Sequence, residues 1–128
     1  MPGDSLLGTR NIMAFVATQD PRRAKAFYCE TLGLSVLSED RFALVLDAHG
    51  IMLRVSIVDK VVVAPHTVLG WQVEDAVAAA KELAAAGVKF ERFPGLTQDA
   101  HGVWEAPGGA KIAWFKDPDG NTLSLAQL

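Results

Sequence analysis

At 128 residues, half of them apolar, the chain has the length of one domain and enough apolar surface to bury a core without disulfides or a structural metal. A formal charge of -3 leaves no broad basic field, which excludes counterion-driven binding to nucleic acid or to an anionic membrane and points to a small molecule as partner. The single cysteine, Cys29, excludes an intrachain disulfide and suits a reducing, cytoplasmic compartment; MPGDSLLGTR lacks the apolar stretch of a signal peptide, and no apolar run is long enough to span a bilayer.

In chain order, NIMAFVAT (Asn11 to Thr18) reads as a strand. It runs into Gln19-Asp20-Pro21, where Asp is a helix N-cap and Pro suits the first helical position. Along the helix Ala24, Phe27, Tyr28, Thr31 and Leu32 share one face, and Gly33 supplies the stop. FALVLDAHGIMLRVSIV (Phe42 to Val58) reads as a hairpin around an Asp-x-x-Gly turn, with His49 in the turn. A linker of about 59–66 follows. VLGWQV (Val68 to Val73) then repeats the first strand, Asp75 repeats Asp20 as N-cap, and AVAAAKELAAA is a helix that Gly87 stops. PGLTQDAHG (Pro94 to Gly102) is a surface loop, GVWEAPGG a strand with a turn at Pro107 to Gly109, and IAWFKDPDGNTLSLAQL (Ile112 to Leu128) a second hairpin. The two hairpins align without a gap, Asp47 on Asp117 and Gly50 on Gly120. The chain is therefore one α+β domain of two similar halves, module one about 10–58 and module two about 67–128.

Strand alternation gives each half two faces. Phe42, Leu44, Leu46, Ile51, Leu53 and Val55 form the helix-facing set of the first hairpin, joined by Ile12, Ala14, Val16, Leu69, Trp71 and Val73 from the leading strands. The opposite set looks into a cleft: Asn11, Met13, Phe15, Ala43, Val45, Asp47, Met52, Arg54 and Ser56 from half one. Half two contributes His66, Val68, Gly70, Gln72, Ala113, Phe115, Thr122, Ser124 and Ala126. Trp104 joins this face with Ala113 if the PGG turn keeps an even length, so that Phe15, Phe115 and Trp104 make an aromatic wall.

Two βαβββ halves, the helix exit AKAFYCETLGL and the closing FKDPDGNTLSL hairpin together resemble the vicinal oxygen chelate superfamily of glyoxalases, bleomycin-resistance proteins and extradiol dioxygenases, over nearly the whole chain. The resemblance implies a curved mixed sheet around a cleft, helices on its outer face, and a two-fold homodimer. It also implies a divalent cation in metal-dependent members, held by His, Gln or Glu on the first and last strands of each half. Those positions are Met13, Val68, Arg54 and Ser124 here. Thioether, alkyl, guanidinium and hydroxyl groups do not jointly hold such an ion, so no metal and no other cofactor is expected.

Arg54 can instead replace the metal's charge and bind a carboxylate or enolate oxygen, with Ser124 opposite; the alternative is a structural ion pair with Asp47 or Glu105. His66 and Glu105 are the candidate general bases, each weighed against a bland role: a linker histidine bonded to backbone, an edge carboxylate in water. His101 and Asp99 belong to a loop that either covers ligand or is simply solvated. Two functions follow. One is a metal-free protein that binds a small organic, possibly anionic, ligand through Met13, Phe15, Arg54, Val68, Gln72, Trp104, Phe115 and Ser124. The other is a metal-free or relocated-metal lyase, isomerase or dioxygenase acting on a small carbonyl or phenolic substrate.

Overall fold

The computed structural model describes residues 6–128; the reading of the N-terminal MPGDSLLGTR stretch falls partly outside them. Half one comprises β1 (Met13–Thr18), α1 (Pro21–Lys25) running into a π-helical turn (Ala26–Thr31), β2 (Ser35–Glu39), β3 (Ala43–Ala48) and β4 (Ile51–Ile57). Half two comprises β5 (Leu69–Gln72), α2 (Ala76–Ala85), β6 (Trp104–Glu105), β7 (Lys111–Lys116) and β8 (Thr122–Gln127). Both N-caps form as the sequence predicts. Asp20 accepts from the N–H groups of Arg22 and Arg23, with Pro21 opening the helix, and Asp75 accepts from Ala78. The first helix widens where Leu32 N–H reaches back to Phe27 O at 2.9 Å, and Gly33, at φ 85°, ends it.

Hydrogen bonding divides the strands into two four-stranded mixed sheets, ordered β1-β4-β3-β2 and β5-β8-β7-β6. In each, the leading strand runs parallel to the last: Phe15 lies beside Arg54, and Gly70 beside Ser124. Those are corresponding positions of the repeat. One core joins the sheets. Val16, Leu44, Leu46, Leu53 and Val55 from the first and Phe115, Leu123 and Leu125 from the second pack with Ala24 and Tyr28 of the first helix. Of the expected inner set, Phe42, Ile12 and Ile51 stay exposed, because each lies at or beyond a strand end where no helix covers it.

The halves are pinned together by the Asp117 carboxylate. Its Oδ2 accepts from the buried Tyr28 hydroxyl at 2.7 Å and from Asn121 Nδ2 at 2.8 Å, while Oδ1 accepts from the N–H groups of Asp119 and Asn121. Asn121 Nδ2 also donates to Ala17 O at 2.9 Å, and Asp119 accepts from Gln19 N–H and the Thr18 hydroxyl. The last turn is thus tied to β1 and to the first helix.

That turn also corrects a reading of the sequence. The first hairpin turns on two residues, His49 and Gly50, with Ala48 opposite Ile51; the second needs five, Asp117 to Asn121, with Lys116 opposite Thr122. An odd difference in loop length inverts the faces of β7 relative to β8. Ser124 therefore sits beside Trp114, and Ala113 and Phe115 turn inward, fully buried.

A buried hydrogen bond to an ionised carboxylate contributes about 1.5–3 kcal/mol. Tyr28→Phe should lower the unfolding free energy in urea by that order. Burial first, then the charge of Asp117 and the hydrogen bond to it, push the Tyr28 phenol well above its ordinary value. The native state thus favours the protonated phenol: its stabilisation is intact below about pH 10 and is lost as pH rises beyond, where the unfolded chain's tyrosine ionises. Unfolding followed from pH 8 to 11 should show a steeper loss for wild type than for Tyr28→Phe.

Candidate functional site

The faces turned away from the helices carry the candidate side chains. On the first sheet Arg54 stands in the middle strand with Phe15 on one side and Val45 on the other, and Met13 and Met52 form the next pair along. This face is open and apolar: Phe15 is 57% exposed and Met13 45%. Arg54 is half-buried among these groups and, among the described residues, makes no ion pair. The pairings weighed for it are not formed. Asp47 accepts instead from Gly50 N–H at 3.0 Å to close its own turn, and Glu105 lies on β6 of the other sheet. Asp40 is held below the usual carboxylate range by the N–H groups of Phe42 and Ala43, with the charge of Arg54 contributing less.

On the second sheet the open face holds Gly70, Ser124 and Trp114 in one row and Gln72, Ala126, Ile112 and Trp104 in the next. Trp104 reaches this face as expected, but by a different route. The β6–β7 loop spans five residues, so its odd length and that of the last hairpin cancel, and Trp104 neighbours Ile112 rather than Ala113. Trp114 meets Trp104 at 5.9 Å and the edge of Phe93 at 5.3 Å between ring centres. Gly70 leaves room for the Ser124 hydroxyl, since a Cβ would lie 2.8 Å from Ser124 Oγ and make that side chain turn away. Ser124 is buried between Gly70 and Trp114 on this face, and its hydroxyl makes no hydrogen bond with another described residue.

Two sequence candidates leave the site. Phe115, expected in the aromatic wall, packs in the core against Phe27, Trp71 and Phe90. Glu105 alternates with Trp104 and so points to the other side, where it lines a cavity with Val77, Asp99 and Lys111. His66 remains. Its Nδ1 lies 3.1 Å from Thr67 O, Nε2 makes no hydrogen bond with another described residue, and the ring lines a cavity of about 560 Å³. His49 is exposed in its turn, at φ 53°. Asp99 accepts from the N–H groups of His101 and Val103, organising its own loop; burial alone would raise its pKa, but these bonds carry it below the usual range. Burial pushes the Cys29 thiol up, as for an unreactive thiol.

The 560 Å³ cavity contains residues that sequence reasoning missed, Phe93, Leu96, Trp114 and Lys116, beside His66 and Thr122, which it had placed on the cleft face. The signal was present in the DPDGN turn, where Asp117 accepts from the N–H and the side-chain amide of Asn121 four residues on and closes a five-residue loop. Arg54 and Ser124 lie on different sheets, Arg54 on β4 and Ser124 on β8, and neither lines the 560 Å³ cavity. Nor do the four positions that the resemblance gives to a metal fit one. Met13, Val68, Arg54 and Ser124 offer no imidazole or carboxylate, and no cluster of three or more His, Cys, Asp or Glu occurs among the described residues. Among those residues, too, no helix is long and apolar enough to cross a membrane.

The profile of the Glyoxalase/Bleomycin resistance protein/Dioxygenase superfamily matches residues 11–125. The chain belongs to that superfamily. Among solved structures it is similar to a lactoylglutathione lyase from Agrobacterium tumefaciens (16% identity, TM-score 0.70, covering 92% of this chain and 93% of that one). It also resembles a glyoxalase family protein from Enterococcus faecalis (24%, 0.68, 95% and 98%) and a superfamily member from Sphaerobacter thermophilus (20%, 0.67, 94% and 99%). At these identities the likeness is one of fold. No curated protein matches the sequence.

Removing a buried phenylalanine side chain costs about 3–5 kcal/mol. Phe115→Ala should therefore lower stability by that order in chemical denaturation, whereas a cleft-wall residue would lose far less.

Proposed function

We propose that this chain binds a small organic anion on the open sheet face without a metal, with Arg54 supplying the positive charge that a cation supplies in metal-dependent relatives. The observation that carries the reading is a half-buried guanidinium, unpaired among the described residues, set between Phe15 and Val45. A charge placed among apolar groups is costly unless it meets an opposite charge, and a bound carboxylate or phenolate meets it. Phe15, Met13 and Met52 give the ligand an apolar bed.

The same exposed apolar face supports a homodimer as the working form. A second copy would cover Phe15 and Met13 and bring the open face of one chain's second sheet, with Ser124 and Gln72, over the first sheet of its partner. The binding cleft is then shared between copies, in a cytoplasmic protein. One observation favours a second reading as an enzyme, a metal-free lyase or isomerase on a small carbonyl or phenolic substrate: His66 keeps Nε2 free to accept a proton at the edge of a cavity.

Thermal shift tests the anion reading. Benzoate and phenolates should raise Tm more than their neutral amides and ethers, and Arg54→Met should abolish that preference while leaving the protein folded. Unchanged preference in the variant contradicts the reading. Tag-free protein should contain well under one equivalent of zinc, nickel, iron or manganese; a full equivalent contradicts it too. By sedimentation, wild type should be dimeric and Phe15→Glu monomeric.

A further inference from the structure

The 560 Å³ cavity owes nothing to Arg54. The linker forms one wall, from Val63 to Thr67; Phe93 and Leu96 of the loop after α2 form another, and Trp114, Lys116 and Thr122 of the second sheet form the floor. At about 560 Å³ it lies in the range of roughly 300–1,000 Å³ usual for small-molecule sites. Its wall is anchored at both ends: Val61 N–H donates to Gln19 Oε1, and Val68 N–H to Thr122 O, both at or near 3 Å. Between them Val63 packs over Gly120, where even a Cβ would come within 3.5 Å.

The lining is selective in its chemistry. Six of its residues are apolar or aromatic: Val63, Ala64, Pro65, Phe93, Leu96 and Trp114. Lys116 and His66 are the charged or titratable ones, and no carboxylate is present although the chain as a whole is acidic. Lys116 makes no ion pair among the described residues. A flat apolar molecule fits the indole surface of Trp114, which Phe93 and Trp104 hold in place, and a negative group at its end meets the Lys116 ammonium.

We infer that this cavity, complete within one chain, takes a planar aromatic acid, its ring on Trp114 and Phe93 and its carboxylate on Lys116. This goes beyond the reading centred on Arg54: it shares only the ligand's negative charge, which the Lys116 ammonium and the carboxylate-free lining of the cavity support by themselves. His66 lies at the linker edge, its Nδ1 engaged with Thr67, so it contributes Nε2 toward a ligand hydroxyl.

The test is calorimetric titration with 2-naphthoate, 2-naphthamide and cyclohexanecarboxylate, alongside the three tryptophan indole N–H resonances in a nitrogen-correlated NMR spectrum. 2-Naphthoate should bind most tightly and shift the Trp114 resonance, assigned through Trp114→Phe. Lys116→Met should weaken it about tenfold or more, which is about 1.4 kcal/mol, while leaving 2-naphthamide unchanged. Leu96→Trp, which fills the cavity, should abolish binding of both. Loss of naphthoate binding in Lys116→Met but not in Arg54→Met supports this site and overturns the role given to Arg54. Loss in Arg54→Met alone overturns this site and leaves the earlier reading standing. Equal binding of cyclohexanecarboxylate overturns the aromatic assignment, and an unshifted Trp114 resonance overturns the location.

Discussion

One carboxylate organises this molecule. Asp117 is buried, accepts hydrogen bonds from Tyr28, Asn121 and two backbone N–H groups, and through Asn121 and Asp119 ties the closing turn to Ala17, Thr18 and Gln19. A buried charge with fewer donors would be destabilising; with four it is a rigid joint. Both halves depend on it, because its partner Tyr28 belongs to the shared core and meets Phe27, which in turn meets Phe115 of the other half.

The same turn determines which side chains are available for binding. By spanning five residues rather than two it rotates β7 by one position against β8, hides Phe115, and brings Trp114 and Lys116 to the open face. Function and fold thus meet in loop length. The joint that fastens the halves also selects the aromatic floor of the cavity, and the linker that closes the cavity rests on Gly120 of that turn.

Most of the architecture was legible in the sequence, since the N-caps at Asp20 and Asp75, the alternation of Leu44, Leu46, Leu53 and Val55, and the repeated hairpins are local signals that tertiary context only confirmed. Arg54, Trp104 and Ser124 also reached the face assigned to them. What failed was parity in β7, because a gapless alignment of the hairpins concealed different turn lengths. Phe115 was misplaced for that reason: it was assigned to the cleft without the count of residues in the turn beside it. Of the cavity only His66 and Thr122 were legible, the rest being assembled from a linker, an irregular loop and a strand distant in sequence.

We propose that ligand lies on the sheet faces turned away from the helices, held by a cation of the chain itself. The most direct measurement is anomalous diffraction from crystals grown with 4-iodobenzoate. The claim predicts iodine on an open sheet face, with the carboxylate directed at Arg54 or Lys116. Iodine found only beneath the helices, or a carboxylate held by an added metal ion, would contradict it.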